Sequence, residues 1–183
     1  MEATVSGITS DIAADCAAAK TAARALAGAS TDSKNEALAA IAAGLVERSE
    51  EILAANVQDL SDEHAAGLTD ALIDRLTLSA ERIEAIAAGA REVARLDDPV
   101  GEEIESRILD NGLELKKVRV PLGVVAVVYE ARPNVTIDCA VLTIKSGNAI
   151  LLRGSSYAER TNRALADVVR DGLAKAGLPE DAV

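Results

Sequence analysis

The chain has 183 residues, 49% hydrophobic and 27% charged, which fits a globular protein and excludes disordered and fibrous classes. Only two residues are aromatic, so we expect an aliphatic, helix-rich core. Residues 1–100 hold 18 acidic and 8 basic side chains, and residues 101–183 hold 12 and 11. The net charge of −11 disfavours nucleic acid as a partner, whereas the nearly neutral second part suits a small anion. The basic residues available there include Arg132, Lys145, Arg153, Arg160 and Arg163.

The chain shows no sign of export, membrane insertion or metal binding. Its first 15 residues lack a basic region followed by an apolar one, and no apolar run reaches membrane-spanning length. Cys16 and Cys139 are too few for a disulfide framework, lack metal-ligand spacing and are expected to pack as small hydrophobes. His64 stands alone and is expected at the surface. We therefore expect a cytoplasmic protein without a metal site.

The first hundred residues are predicted to form amphipathic packing helices. Ser33 and Glu36 have capping-box spacing ahead of apolar residues that share one helix face. A second helical run passes through Ile52, and a short helix or turn is expected over 72–78. Ser79 is predicted to cap the helix that follows.

From residue 102 the pattern changes to extended segments. Asn111-Gly112 lies between them, and this dipeptide predicts a β-hairpin over about 103–120 with positive φ at both turn residues. Alternation around the turn is imperfect, so the strand register stays open.

Residues 121–183 alternate strand and helix signals. The segment 124–129 is apolar at almost every position, as expected for a strand covered on both faces of a parallel sheet. A buried helix is predicted from Asn134, a good N-cap, to Gly147, where a residue without Cβ can adopt a left-handed conformation. The second strand and helix are predicted over 149–152 and 158–176. This order predicts an incomplete parallel sheet of Rossmann type.

Two loops follow these strands, and each carries an arginine. Ligands of open parallel sheets bind at the carboxyl ends of strands, where helix N-termini offer N–H groups. Arg132 lies in the loop 130–134 and Arg153 in the loop 153–156, and a guanidinium can bind phosphate oxygens bidentately. Each arginine is a candidate for an anionic ligand, with an ion pair or a carbonyl contact as the structural alternative.

Several motifs resemble those of the γ-glutamyl phosphate reductases, a branch of the aldehyde dehydrogenase superfamily. They are PLGVV at 121–125, YEARPNVT at 129–136 and KSGNAILLRG at 145–154, with DRL at 74–76 and DPVGE at 98–102. The resemblance covers essentially the whole chain. It implies an α/β, aldehyde-dehydrogenase-like fold in three segments: N-terminal helices over 1–101, an oligomerisation hairpin over 102–120, and the first part of an NADP-binding Rossmann-like domain over 121–183.

The resemblance also implies a reaction and a set of partners. NADPH would reduce γ-glutamyl phosphate to glutamate-5-semialdehyde in proline synthesis, in a homo-oligomer functionally coupled to glutamate 5-kinase. A cysteine thiolate would displace phosphate, and hydride transfer to the thioester would release the aldehyde. That cysteine and its domain are expected beyond Val183, so the 183-residue piece alone is expected to be inactive.

Individual residues acquire roles from the same resemblance. Arg153 matches a basic residue that reaches the adenosine ribose or its 2′-phosphate, and Gly154, Ser155 and Ser156 complete the predicted NADP(H) site. Ser156 stands where enzymes that prefer NAD often carry a Glu that would repel the 2′-phosphate.

The loop after the first strand is expected to serve the substrate. The resemblance implies that Arg132 meets the substrate phosphate and that Asn134 donates to the developing oxyanion, with a plain helix cap as the equal alternative for Asn134. Two other functions stay open for the chain: a fragment of another aldehyde or acyl-phosphate dehydrogenase, or a non-catalytic oligomerisation module.

Overall fold

The computed structural model describes residues 2–62 and 67–183. His64, for which a surface position is predicted, lies outside these residues. Before the first strand the described chain forms five α-helices, and the apolar spacing predicts the last four of them. They are α1 Glu2–Ala27, α2 Thr31–Glu47, α3 Ser49–Ser61, α4 Asp70–Leu76 and α5 Ala80–Arg95.

Serine caps begin two of these helices. Ser30 is the N-cap of α2, since its Oγ accepts a hydrogen bond from the Ser33 backbone N–H at 3.1 Å. The predicted capping box of Ser33 and Glu36 is therefore wrong, because the helix begins one turn earlier and Ser33 is the bonded partner rather than the cap. The prediction for α5 is confirmed: Ser79 Oγ accepts from the Arg82 N–H at 3.2 Å.

The predicted hairpin is present, with a different turn. Strands β1 (Glu103–Ile108) and β2 (Glu114–Val118) pair antiparallel, with an irregular register near the start of β1. The Gly112 N–H donates to the Leu109 carbonyl at 2.8 Å, and Gly112 has φ +84° whereas Asn111 does not have a positive φ. The turn is thus a three-residue loop with glycine in the left-handed position, and the expectation of positive φ at both residues is wrong.

Strand, helix, strand and helix follow in the predicted order. They are β3 Val124–Val128, α6 Asn134–Lys145, β4 Ala149–Arg153 and α7 Glu159–Lys175. β3 and β4 pair in parallel from Val124↔Ala149 to Val128↔Arg153. Burial of β3 on both faces is not observed, because Ala126 and Val128 share a face that is open to solvent, and Val128 is 81% exposed.

An aliphatic core fills the space between the helices and the sheet, as the composition predicts. Its fully buried large side chains include Leu26, Leu38, Ile41, Leu45, Ile52, Ile83, Ile137, Ile144, Ile150 and Leu165. Close helix packing adds to this core: a Cβ on Gly172 of α7 would lie 2.5 Å from Ile41 of α2. Of the helices in the described residues, none is both long enough and apolar enough to cross a membrane.

Candidate functional site

The two arginine-bearing loops meet at the carboxyl ends of β3 and β4. The Tyr129 N–H donates to the Arg153 carbonyl at 3.1 Å, which extends the pairing of the strands into the loops. Gly154 is packed between side chains: a Cβ there would lie 2.2 Å from Asn162 Nδ2 and 3.0 Å from the Tyr129 ring. Glycine therefore permits the close contact of the second loop with the first.

A short chain of hydrogen bonds crosses from β3 to α7 behind Gly154. The Tyr129 hydroxyl lies 2.7 Å from Thr136 Oγ1, which in turn donates to Asn162 Oδ1 at 3.1 Å. Burial raises the pKa of Tyr129, so the phenol stays protonated and serves as a hydrogen-bonding group. The sequence alone predicts no role for these three residues, although Tyr129 and Thr136 both belong to the YEARPNVT motif.

The residues predicted to bind the cofactor share one cleft. Arg153, Gly154, Ser155 and Ser156 line an opening of about 560 Å³, together with residues of α1, α6, α7 and the chain's last residues. Arg163 and Arg170 of α7 also line this cleft, and Arg163 pairs with Glu159 of the same helix at 3.3 Å. The Arg153 guanidinium donates to the Gly154 carbonyl in its own loop, and Ser155 Oγ accepts from the Tyr157 N–H at 3.3 Å.

The N-terminus of α7 already has an anion, supplied by α3. Asp59 Oδ2 accepts from the Thr161 N–H at 2.8 Å and from Thr161 Oγ1 at 2.6 Å, and Oδ1 accepts from the Arg160 N–H at 3.2 Å. Arg160 also pairs with Asp59 and Asp62 through its side chain. These backbone N–H groups therefore do not face a phosphate as expected. The cations of the cleft are side chains, Arg153, Arg163 and Arg170, and the acidic side chains of Asp15, Glu159 and Asp181 line it as well.

Arg132 and Asn134, predicted to meet the substrate, lie in the other loop. Arg132 Nε is 2.8 Å from Glu130 Oε1, with the geometry of an ion pair rather than of a hydrogen bond. The cap prediction for Asn134 is wrong: Pro133 holds the N-cap position with helical dihedral angles, and Asn134 is the first helical residue. Asn134 Nδ2 donates to Asp138 at 2.9 Å, which uses one of its two amide N–H groups.

Lys145 belongs to the interior and not to an anion site. Its Nζ donates to Asn35 Oδ1 at 2.6 Å and to the Ala94 carbonyl at 2.9 Å. Burial is the main cause that lowers the pKa of Lys145. The neighbouring Asn148 is buried as well, and its Oδ1 accepts from the Gly123 N–H at 2.9 Å. The KSGN motif thus joins the amino ends of the strands to the helices.

Neither cysteine has the environment of an activated nucleophile. Cys139 is half-buried on α6, where burial and the neighbouring Asp138 raise the pKa of its thiol. A catalytic cysteine requires the opposite shift. Cys16 is exposed on α1, so the prediction that it packs as a buried hydrophobe is wrong; α1 instead turns residues such as Ala19 and Leu26 into the core.

Comparison with known proteins identifies the class. A family model described as the aldehyde dehydrogenase family matches residues 3–183, and the chain belongs to this family. A probable aldehyde dehydrogenase from Listeria monocytogenes shares the fold at 19% identity, with a TM-score of 0.71 over 95% of this chain and 36% of its own. The predicted fold class is confirmed.

Within the family the chain is similar to γ-glutamyl phosphate reductases. It is 53% identical over 165 residues to the Gamma-glutamyl phosphate reductase of Thermobifida fusca (strain YX), which covers 90% of this chain and 40% of that protein. The crystal structure of the Thermotoga maritima reductase matches with 40% identity and a TM-score of 0.89, over 92% of this chain and 41% of that one. The crystal structure of the Saccharomyces cerevisiae reductase matches with 34% identity and a TM-score of 0.86, over 92% of this chain and 44% of that one. The chain spans about two-fifths of the length of these relatives.

Proposed function

We propose that the chain is the N-terminal part of an NADPH-dependent γ-glutamyl phosphate reductase, which converts γ-glutamyl phosphate to glutamate-5-semialdehyde in proline synthesis. The observation that carries this proposal is the 53% identity over 165 residues to a protein named for that activity. The site supports it, because two arginine-bearing loops meet at the edge of the sheet where open α/β folds bind ligands.

NADP(H) is the proposed cofactor, held by Arg153, Gly154, Ser155 and Ser156. The cleft that these residues line offers a permanent positive charge and two hydroxyl groups, which complement the 2′-phosphate of the nucleotide. Arg163 and Arg170 add two further guanidiniums to the same cleft. When bound, the nucleotide supplies the hydride, and the residues of this chain bind and orient its adenosine end.

The substrate is assigned to the loop after β3. Arg132 would meet the substrate phosphate, and Asn134 would donate its remaining amide N–H to the developing oxyanion. The nucleophilic cysteine is assigned to the rest of the enzyme. The raised pKa of Cys139 supports that assignment, because a protonated thiol is a poor nucleophile.

Assay of the full-length enzyme tests this function in the reverse direction. NADP⁺ and phosphate should support oxidation of glutamate-5-semialdehyde, followed by NADPH absorbance, at a kcat/KM well above that for butanal. Equal efficiency with butanal, or turnover without phosphate, would instead indicate another dehydrogenase of the family. Absence of both NADPH binding and turnover would favour the non-catalytic module.

The hairpin is the proposed contact between subunits of a homo-oligomer. Every residue of β1 and β2 is exposed, although both strands carry large aliphatic side chains. These include Ile104, Ile108, Leu115 and Val118. Apolar side chains gathered on an exposed element are typical of an interaction surface. The enzyme is further proposed to work in the cytoplasm. It is also proposed to act beside glutamate 5-kinase, because water hydrolyses a free acyl phosphate readily.

Ile108→Lys should dissociate the oligomer of the full-length protein, because a charge replaces an aliphatic side chain that is 76% exposed in the chain alone. Sedimentation velocity gives the oligomeric state. Lys175→Gln, exposed at the end of α7 and outside the hairpin, is the control and should leave it unchanged. An unaltered oligomer in the Ile108 variant would place the subunit contact elsewhere.

A further inference from the structure

Two residues of the proposed substrate loop, Glu130 and Arg132, form a charged group with Arg75. Glu130 Oε1 is 2.8 Å from Arg132 Nε and 3.7 Å from Arg75 Nη1. Arg75 belongs to α4, so the group brings the DRL motif of the helical region to the YEARPN motif after β3. Each of the three side chains is 42–54% exposed and open to a ligand from solvent. Arg75 and Glu130 have no part in the function proposed above.

A small buried apolar cluster lies next to this charged group and supports it. Leu76, the neighbour of Arg75, is fully buried and packs with Ala131 and Ala158. Ala131 lies between Glu130 and Arg132, and Ala158 ends the short helical turn that follows the cofactor loop. The cluster therefore fixes Arg75 relative to both loops of the site.

Polar contacts hold α4 on its other side. The Asp74 carboxylate pairs with Arg82 of α5 at 2.7 Å, and the Arg82 guanidinium also donates to the Thr77 carbonyl. Asn56 of α3 donates to the Leu76 carbonyl at 2.9 Å and accepts from the Leu78 N–H at 2.8 Å. The backbone on both sides of Arg75 is thus anchored, so its guanidinium extends from a rigid support.

Stability does not account for the charged group. Half-exposed ion pairs contribute little to folding stability, and the 3.7 Å separation of Arg75 and Glu130 is long for such a pair. Two guanidiniums and one carboxylate form an arrangement with an excess positive charge. It complements a ligand that has one ammonium group and more than one anionic group.

We propose that Arg75 and Glu130 recognise the amino-acid end of the substrate. The Arg75 guanidinium binds the α-carboxylate, for which its planar fork is suited, and Glu130 accepts hydrogen bonds from the α-ammonium. Arg132, on the other side of Glu130, is left to meet the phosphate. This assignment rests on the proposed function, and it explains how an enzyme of this family would select a γ-glutamyl group over a simple acyl group.

The test compares two aldehydes in the full-length enzyme with NADP⁺ and phosphate. Glutamate-5-semialdehyde carries both α-groups, and butanal carries neither. Arg75→Ala and Glu130→Gln should each raise the KM for the semialdehyde at least tenfold while changing the KM for butanal and the NADPH Kd less than twofold. Arg91→Ala is the matched control. Arg91 of α5 is also a half-exposed arginine paired with a carboxylate, since its guanidinium lies 2.8 Å from Glu84. The kinetic constants of this variant should be those of the wild type.

Each outcome separates the inference from the function on which it rests. Equal increases in KM for both aldehydes, or no increase for the semialdehyde, would overturn the roles of Arg75 and Glu130. Failure of the wild-type enzyme to prefer the semialdehyde would overturn the proposed function itself. Arg75→Lys separates a binding defect from misfolding, because lysine keeps the positive charge at this position. It loses the bidentate geometry, so a several-fold increase in the KM for the semialdehyde is still expected.

Discussion

The two ends of the β3–β4 sheet use similar residues for opposite purposes. At the amino ends, Lys145 and Asn148 are buried, and their polar atoms bond to neighbouring helices and loops. At the carboxyl ends, Arg132 and Arg153 lie at or near the surface. Arg132 pairs with Glu130 and Arg153 donates to the Gly154 carbonyl, so each of these contacts stays within its own loop. A cation surrounded by internal acceptors stabilises the fold, whereas a cation exposed at the loop edge is open to an anionic ligand.

Lys34 and Asp98 show most clearly how the amino end is built. Lys34 is 1% exposed, and its Nζ lies 2.5 Å from Asp98 Oδ2. The same carboxylate accepts from Thr31 Oγ1 at 2.7 Å and from the Val100 N–H at 3.0 Å. Burial alone would raise the pKa of Asp98, but the hydrogen bonds from Lys34, Val100 and Thr31 together hold it below its ordinary value. Mutations at the amino ends should therefore lower stability, whereas mutations at the carboxyl ends should change ligand binding.

Asp98→Ala should have the largest effect, and on stability alone. Removal of one partner of a buried pair leaves the Lys34 charge uncompensated, at a cost of about 3–5 kcal/mol in the free energy of unfolding measured with urea. Glu92→Gln, in a pair exposed on both sides with Arg95, is the control and should change that energy by less than about 0.5 kcal/mol.

The same carboxylate has a defined pH dependence. Because the folded pKa of Asp98 is lowered, its contribution to stability is complete above the unfolded value of about 4 and is lost as the pH falls through the folded pKa. Asp98→Ala should therefore weaken the acid dependence of unfolding. An unchanged acid limb in the variant would contradict this account.

Gly154→Ala should have an intermediate effect, in both stability and binding. The new Cβ would collide with Asn162 and Tyr129, so the loop must shift, at a cost of about 1–3 kcal/mol. The NADPH Kd should rise about tenfold with it. Gly89→Ala is the matched control, because nothing lies within 4 Å of a Cβ at this exposed helical position, and it should stabilise α5 by about 0.5–1 kcal/mol.

Arg153→Glu should have the smallest effect, limited to cofactor choice. A carboxylate beside the 2′-phosphate should raise the Kd for NADPH about tenfold, which corresponds to about 1.4 kcal/mol, and the Kd for NADH by less than about twofold. Fluorescence titration of the full-length enzyme measures both constants. An equal increase in the Kd values for NADPH and NADH would refute a contact between Arg153 and the 2′-phosphate. Arg153 would then not serve a ligand as the comparison of the two sheet ends requires.

Local signals in the sequence were sufficient for most of the fold. Apolar spacing predicted α2 to α5, Asn111-Gly112 predicted the hairpin, and the alternation after residue 121 predicted the parallel strands. Each signal acts within a few residues, where periodicity and turn chemistry dominate. The same locality explains the errors: Ser33 and Asn134 are both good caps by residue type, but the helices begin where the neighbouring chain permits.

Tertiary structure alone decided which charges face inward and which face the site. Lys145 and Arg153 are both basic residues near the ends of predicted elements, yet helices pack over the first and not over the second. Asp59 capping α7 from 100 residues away, and Arg75 lying beside Glu130, bring together residues from distant parts of the chain. The sequence by itself determined the elements and the family motifs, because these depend on neighbouring residues. Their roles depend on burial and on partners that meet only when the chain folds.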